Sequence, residues 1–390
     1  MNQQRIYLDN AATTWPKPES VYDAVDHYQR EIGAPNGRGG YREAQESNRI
    51  VERARKGVAD LIGAPDPSHI ILGLNCSDML NIAIRGVVRP GDHVVTTVCD
   101  HNSVLRPLRA LSEDAGVEVT YVPCDAQGFV SPDDIRAAIR PGTRLVAVNY
   151  ASNVTGAIQP IEEMGQIVRE SDALFLIDAA QSLGHAPLNV CTVNADLLAA
   201  PGHKGLLGPL GTGVLYIRSG IEGEVKPLRY GGTGTQSDED RQPDVLPQKY
   251  EPGNHNLVGL AGLAAATDFL REETIEAIHR HHSHLTRQLI DALSDIEGVT
   301  IYGPKMAAER TSVVSITVDG YEPQELAAIL DSTYRIQTRA GFQCAPRMHD
   351  SLGTTAGGGT LRFSPGFATT GEDIDRAVGA LRDIALASVH

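Results

Sequence analysis

The chain has 390 residues, 41% of them hydrophobic and 21% charged, with a formal net charge of −15. That size and balance suit a globular protein with two sizeable cores, and 39 glycines and 22 prolines stay below a low-complexity composition. The acidic surplus argues against a general nucleic-acid or anionic-membrane surface and leaves room for a basic partner.

No run approaches the roughly 18 apolar residues that a membrane span needs. The opening Met1-Asn2-Gln3-Gln4-Arg5 lacks the apolar core of a secretory leader. Five scattered cysteines (Cys76, Cys99, Cys124, Cys191, Cys344) form no C-x-x-C and no metal-like cluster with histidine, so a reducing cytoplasm is expected.

In chain order, Ile6-Tyr7-Leu8-Asp9 is too short to place alone. Glu43 to Ile62 reads as a helix, with Ile50, Val51, Ala54, Val58 and Leu61 at helical spacing. Strand-like runs follow at Ile70–Leu72, His93–Thr97, Val117–Tyr121, Leu145–Val148, Leu174–Ile177 and Gly213–Ile217. Helical stretches such as Ser103–Ala115 and Ile161–Ser171 separate most of them, and Ser131-Pro132 reads as an N-cap with proline in the first turn. Buried strands alternating with helices predict a mostly parallel wound sheet, with ligands beyond the carboxyl ends of its strands.

Beyond Ile217 the pattern changes. Tyr230 to Gly253 is polar and reads as a long loop or exposed hairpin. A long helix from Leu257 to Ser294, broken near Glu272, precedes strands at Val299–Tyr302 and Thr311–Val318. A helix at Pro323–Leu330, a strand-like Tyr334–Thr338 and a helix at Gly371–Leu386 complete a smaller α+β body.

Several residues carry chemistry. Apolar Leu197-Leu198-Ala199-Ala200 runs through Pro201-Gly202-His203 into Lys204, with glycine-rich sequence after it. A lysine at such an interior edge loses basicity by desolvation, which favours Schiff-base chemistry over a structural or substrate-binding role. Asp178 closes an apolar strand, where a carboxylate needs a partner. It suits the protonated nitrogen of a pyridoxal phosphate ring, or else an N-cap for a segment starting at Ala179. Gln181 is a candidate donor to the ring hydroxyl or a solvated amide. His101, after Cys99-Asp100, is a stacking and proton-exchanging candidate or a satisfied turn histidine.

Gly73-Leu74-Asn75-Cys76-Ser77-Asp78 lies between a strand and a helix, where amides and the Ser77 hydroxyl can cradle phosphate; ordinary strand-to-helix turns look the same. Cys344 sits in a glycine-containing loop among Arg339, Gln343 and Arg347, in accessible, positive surroundings that favour a thiolate. The other four cysteines read mainly as buried hydrophobes. Arg362, inside apolar Thr360–Phe363, requires an anion: a substrate carboxylate or a structural carboxylate. With the cofactor lysine, Cys344 points to an enzyme acting on a sulfur amino acid.

These motifs, in this order from Tyr7-Leu8-Asp9-Asn10-Ala11-Ala12-Thr13 to Arg362, resemble the class V aminotransferase-fold enzymes, and among them the cysteine desulfurase and selenocysteine lyase group. The resemblance implies an α/β, type I pyridoxal phosphate-dependent transferase fold. Its large domain, residues 15–256, would carry a mostly parallel seven-stranded sheet. A small α+β domain, residues 1–14 and 257–390, would carry the Cys344 loop and Arg362. It implies a Schiff base at Lys204, ring contacts from Asp178, Gln181, His101 and Asn153, a cofactor contact from Cys76, and phosphate contacts from Ser77 and His203. Ala12, Asn153 and Arg362 would meet substrate, and Cys344 would carry a persulfide. It also implies a homodimer in which Asn254 serves the neighbouring subunit's phosphate, and, from the short Arg339-to-Cys344 loop, a type II-like enzyme with a sulfur-acceptor protein.

Three positions depart from the family pattern. Pro201 stands where a Ser or Thr is common, Asn254 where a Thr is common, and Tyr41 where a His is common. The expected reaction converts L-cysteine to L-alanine, the sulfur passing to Cys344 and on to an acceptor in iron–sulfur, thiolated-tRNA or other sulfur metabolism. Selenocysteine, cysteine sulfinate, or lyase cleavage of a cysteine conjugate are the alternatives.

Overall fold

A computed structural model describes residues 5–37, 39–234 and 238–387. Residues 1–4 of the opening segment and 235–237 of the polar stretch lie outside the described residues.

A short first strand, β1 (Ile6–Tyr7), precedes seven strands of a central sheet. These are β2 (Ile70–Gly73), β3 (His93–Thr97), β4 (Glu118–Val122), β5 (Thr143–Asn149), β6 (Leu174–Asp178), β7 (Leu197–Pro201) and β8 (Gly213–Ile217). Their spatial order is β2-β8-β7-β6-β5-β3-β4, and β8 pairs antiparallel with both neighbours while the remaining pairs are parallel. The expected mostly parallel seven-stranded sheet is therefore observed.

Its strands are apolar on both faces because both are covered. Val146, Phe175, Ile177 and Leu198 enter one core, while Leu145, Leu174, Leu176 and Leu197 enter the other. Each such buried side chain contributes about 1.5–3 kcal/mol relative to exposure. The β5–β6 register pairs Leu145 with Leu174 and Val148 with Ile177. Asn149 and Asp178 are partners in that register, so the parallel strands deliver two polar side chains side by side at their carboxyl ends.

The expected helix near Glu43 is observed as Arg42–Ile62, ended by Gly63 in the left-handed conformation. The long helix after Leu257 is two, Leu257–Glu273 and Ile275–Ser294, divided at Thr274 with φ 64°. Its first half packs on helices Glu19–His27 and Arg42–Ile62 and buries Leu257, Leu260 and Leu263 in the large core. The residues expected to open the small body thus share the core of the large one.

The smaller sheet has order β12-β13-β10-β9, from β9 (Val299–Tyr302), β10 (Val314–Val318), β12 (Arg339–Gly341) and β13 (Thr360–Phe363). Beside it β1 pairs in parallel with β11 (Ile336–Gln337). Two expectations change here. Thr311 to Val313 is not strand, because Arg310 turns back to donate to the Val313 carbonyl. The Tyr334–Thr338 run supplies only two strand residues. In the large body Ser131 is the N-cap of helix Pro132–Ala138 as expected, with Pro132 in the first turn, though its side chain makes no capping hydrogen bond. The described part of Tyr230–Gly253 is loop, with no hairpin.

Candidate active site

Five of the central strands, β2, β3, β5, β6 and β7, end around one cavity of about 160 Å³. Asp178, Lys204, His101, Asn153, Gln181, His203, Cys76 and Ser77 all line it. Sequence reading had separated these residues by more than a hundred positions; the parallel sheet gathers them.

Asp178 is 4% exposed at the end of β6. Its Oδ1 accepts the Ala180 N–H at 2.9 Å and lies 3.8 Å from the Cys76 thiol. This is an Asx-type turn, and no helix starts at Ala179. Burial raises the Asp178 pKa, opposed by the Ala180 amide and by Lys204. Such a carboxylate is stabilised by a cationic N–H partner in the cavity. Burial lowers the pKa of Lys204, with Cys76 and Asp178 pulling the other way and Arg362 and Arg339 adding to the fall. A lysine so placed spends more time as the free amine, the nucleophilic and basic form.

His101 caps the helix Asn102–Ala115, its Nδ1 accepting the Ser103 N–H at 3.0 Å. That bond assigns the proton to Nε2. Burial, then Lys204 and three arginines, lower the His101 pKa to about 4, so the ring stays neutral. Beside it lies the start of helix Cys76–Val87, capped by Asn75, whose Oδ1 accepts the Asp78 N–H at 2.9 Å. Ser77 and Ser103, second residues of their two helices, share a hydrogen bond of 2.6 Å. Two helix N-termini therefore converge, each carrying positive partial charge toward the same point. A Cβ on Gly213 would lie 2.5 Å from the Asn75 backbone carbon, so only glycine lets β8 approach this helix start.

His203 leaves Nδ1 buried without a partner, and burial, Lys204 and Lys17 lower its pKa to about 4. Asn149 Oδ1 is likewise buried and unpartnered, although its Nδ2 donates to the Cys99 carbonyl at 3.0 Å. A buried acid on one side, two helix starts with hydroxyls on another and a weakened lysine between them fit a planar ring that carries a basic nitrogen, a phosphate and a carbonyl. The orphaned His203 and Asn149 atoms fit the same molecule as hydrogen-bond partners.

Cys344 is half-buried, with φ +63° following Gln343 at φ +42°. Two successive left-handed residues without a glycine store strain and hold the thiol at a fixed angle. Its carbonyl accepts the Asn102 N–H at 2.8 Å, and Arg339 Nη2 lies 3.5 Å from Sγ. Arg347 instead stacks on Tyr121, 3.6 Å from the ring centroid, and does not contribute to the thiol's surroundings as expected. The amide of Asn153 donates to the Gln343 carbonyl, joining the cavity wall to this loop.

Arg362 realises the structural-carboxylate alternative: Nη2 donates to Asp9 at 2.9 Å and Nη1 to the Asn153 carbonyl at 3.0 Å. Its Nε is buried and unpartnered, so one donor remains for an incoming anion. Ala12 lies in the N-terminal turn, outside the cavity wall, and Gln181 donates to the neighbouring Ala11 carbonyl at 3.0 Å. Asn254 is exposed and faces a separate depression with Arg229 and Glu251. Tyr41 is 52% exposed. Asn75, Ser103 and Asn149 were not assigned a role from sequence. A serine second in a helix that follows a strand was the available signal for Ser103, since Ser77 repeats it.

A model of the aminotransferase class-V family matches residues 6–377. A probable cysteine desulfurase from Methanothermobacter thermautotrophicus is 37% identical over 98% of this chain and 95% of its own. A cysteine desulfurase from Haloferax volcanii is 31% identical, covering 96% of this chain and 88% of its own. The apo structure of a cysteine desulfurase from Thermococcus onnurineus superimposes with a TM-score of 0.92 at 34% identity, covering 98% of this chain and 95% of that one.

Proposed function

We propose that this chain, which belongs to the aminotransferase class-V family, is a cysteine desulfurase whose chemistry is divided between Lys204 and Cys344. The observation that carries the division is the Cys344 loop, bonded through its carbonyl to Asn102, next to the cavity-lining His101.

The cofactor that suits the cavity is pyridoxal 5′-phosphate. Asp178 would meet its ring nitrogen, Gln181 and Asn153 its ring oxygen, and His101 its face. Ser77 and His203 would hold its phosphate, Cys76 would contact the cofactor beside Asp178, and Lys204 would hold its aldehyde carbon. When bound, this group supplies an electron sink for carbanion chemistry at the substrate α-carbon.

The protein's own groups do the rest. Arg362 and Asn153 receive and orient the carboxylate of L-cysteine, while Ala12 would meet the substrate only from the N-terminal turn outside the cavity wall. Lys204, as the free amine, takes the α-proton and later returns a proton to the carbon skeleton. Neutral His101 exchanges a proton through Nε2. The Cys344 thiolate, with Arg339 beside it, attacks the substrate sulfur. An S–S bond forms as the carbon–sulfur bond breaks, the electron pair stays with the carbon, and protonation gives L-alanine. Cys344 is left as a persulfide, whose outer sulfur an acceptor protein collects.

We assign the large domain to residues 15–273, because helix Leu257–Glu273 packs in the large core, and the small domain to residues 1–14 and 274–390. A homodimer suits Asn254, whose exposed amide lies away from its own chain's cavity and is free to serve the neighbouring copy's phosphate. Among the described residues no helix is long and apolar enough to cross a membrane, and we propose a cytoplasmic enzyme. The test is product analysis with L-cysteine: alanine and sulfane sulfur in equal amounts support the reading. Pyruvate and ammonia would replace it with lyase chemistry, and full L-cysteine turnover by Cys344→Ala would remove the persulfide step.

A further inference from the structure

The Cys344 loop turns where its own sequence gives little reason to turn. The Ala345 N–H donates to the Phe342 carbonyl at 2.9 Å, closing a four-residue turn around Gln343 (φ +42°) and Cys344 (φ +63°). A turn with both central residues left-handed is the shape that glycine, asparagine and aspartate favour. Glutamine and cysteine keep it only when their surroundings over-determine it.

Those surroundings act on Gln343, which is 3% exposed and has its side-chain amide paired at both ends. Nε2 donates to the Thr360 carbonyl at 2.8 Å, while Oε1 lies 2.8 Å from His349 Nε2 and 3.3 Å from Thr360 Oγ1. An amide oxygen only accepts, so the His349 proton sits on Nε2. Nδ1 is then an acceptor, and the Thr354 hydroxyl, 2.8 Å away, donates to it. Burial lowers the His349 pKa to about 4 and keeps the ring neutral.

His349 is fully buried on helix Pro346–Leu352, with the Phe342 ring edge-on to it at 5.4 Å. A chain of hydrogen bonds thus runs from Thr354 through His349 and Gln343 to the residue before Cys344. On the other side the Gln343 carbonyl accepts the amide of Asn153, which lines the cavity. The thiol is attached to a residue gripped from both directions, and His349 has no other part in the chemistry described above.

We propose that His349 is a positioning residue for Cys344, holding the left-handed turn through Gln343 so that the thiol meets the substrate sulfur. Attack by the thiolate depends on where Sγ stands, and a misplacement of about 1 Å costs on the order of 10²-fold in rate. Removal of the α-proton by Lys204 uses no atom of this turn and is spared.

The proposal rests on the desulfurase reading, and the test separates the two. Holoenzymes of the parent, His349→Leu and His349→Gln are compared in single-turnover persulfide formation with L-cysteine and in α-hydrogen exchange of L-alanine in deuterium oxide. Alkylation of Cys344 by iodoacetamide is followed in parallel. His349→Leu should form the persulfide about tenfold or more slowly, with α-hydrogen exchange near the parental rate. His349→Gln, whose amide nitrogen stands near the place of Nε2, should recover most of the loss. Gln343→Met, which keeps the length and removes both ends of the amide, should show the same split and serves if His349→Leu does not fold. An equal fall in both rates, an unchanged persulfide rate, or a glutamine variant no better than leucine overturns the proposal. A parent protein that exchanges the α-hydrogen yet forms no persulfide refutes the desulfurase reading. In that event a several-fold change in Cys344 alkylation in His349→Leu supports the positioning role, and an unchanged rate overturns it.

Discussion

The backbone N–H of Asn102 donates to the Cys344 carbonyl at 2.8 Å, joining a strand-to-helix turn of the large sheet to a loop of the small one. The residue before Asn102 is His101, which lines the cavity, and the residue after Cys344 leads into helix Pro346–Leu352. Thiol and imidazole are therefore set in position by the same contact.

Replacing Lys204 tests the base. Lys204→Ala removes the one amine that burial has shifted toward its free form inside the cavity. L-cysteine turnover should fall by about 10²-fold or more, the usual contribution of a positioned acid–base group. Activity near that of the parent protein would show that another group moves the proton.

The Arg362–Asp9 ion pair tests the substrate clamp. Arg362 is 2% exposed, and Asp9 is the carboxylate paired with it. Arg362→Lys keeps the charge and loses the planar fork, so KM for L-cysteine should rise more than kcat falls. Asp9→Ala leaves a buried guanidinium without its counter-ion and should cost about 3–5 kcal/mol of stability in denaturant titrations. An unchanged KM in Arg362→Lys would return the arginine to a purely structural role.

Much of this was legible in the sequence. Lys204, Asp178, His101, Asn153, Gln181, His203, Cys76 and Ser77 line one cavity because each ends or follows an apolar strand, and strand ends are readable. Strand β7 was visible only as an apolar run, since Ala199, Ala200 and Pro201 carry little strand preference and are placed by the neighbours on both sides. The partner of Arg362 was not readable, because Asp9 is 353 residues away and is brought in by β1. Cys124 and Cys191 were expected among the buried hydrophobes; Cys124 is half-buried and Cys191 exposed, since both lie in loops whose path the local sequence does not fix.

Stability should depend steeply on acid. Burial, the largest cause in each case, lowers His101, His185, His203 and His349 to about 4, so all four are neutral in the folded protein. Unfolded histidine titrates near 6.5, so between that pH and about 4 the unfolded chain binds more protons, and stability falls as pH falls. Buried His185 alone contributes about 1.4 kcal/mol per pH unit within that window. Asp100, raised to about 7 by burial, acts in the opposite sense, its effect being lost stability as pH rises from 3.8. Four histidines outweigh it, so the unfolding midpoint should drop sharply from pH 6.5 to 4.5, and Asp100→Asn should steepen the drop. A flat profile would mean these rings have solvent access.

The helix start behind Ser77 depends on Gly213. Gly213→Ala places a methyl 2.5 Å from the Asn75 backbone and displaces the cap of helix Cys76–Val87. Affinity for pyridoxal 5′-phosphate, followed by absorbance on titration of cofactor-free protein, should weaken about tenfold or more, corresponding to about 1.4 kcal/mol. Unchanged affinity would place the phosphate elsewhere.

The central claim is that sulfur passes from L-cysteine to Cys344. A single turnover of purified holoenzyme with L-cysteine, without reductant, followed by peptide mass analysis and alanine quantitation, tests it most directly. The account predicts a Cys344 peptide heavier by one sulfur atom and an equal amount of alanine. Alanine released with Cys344 unmodified would contradict it.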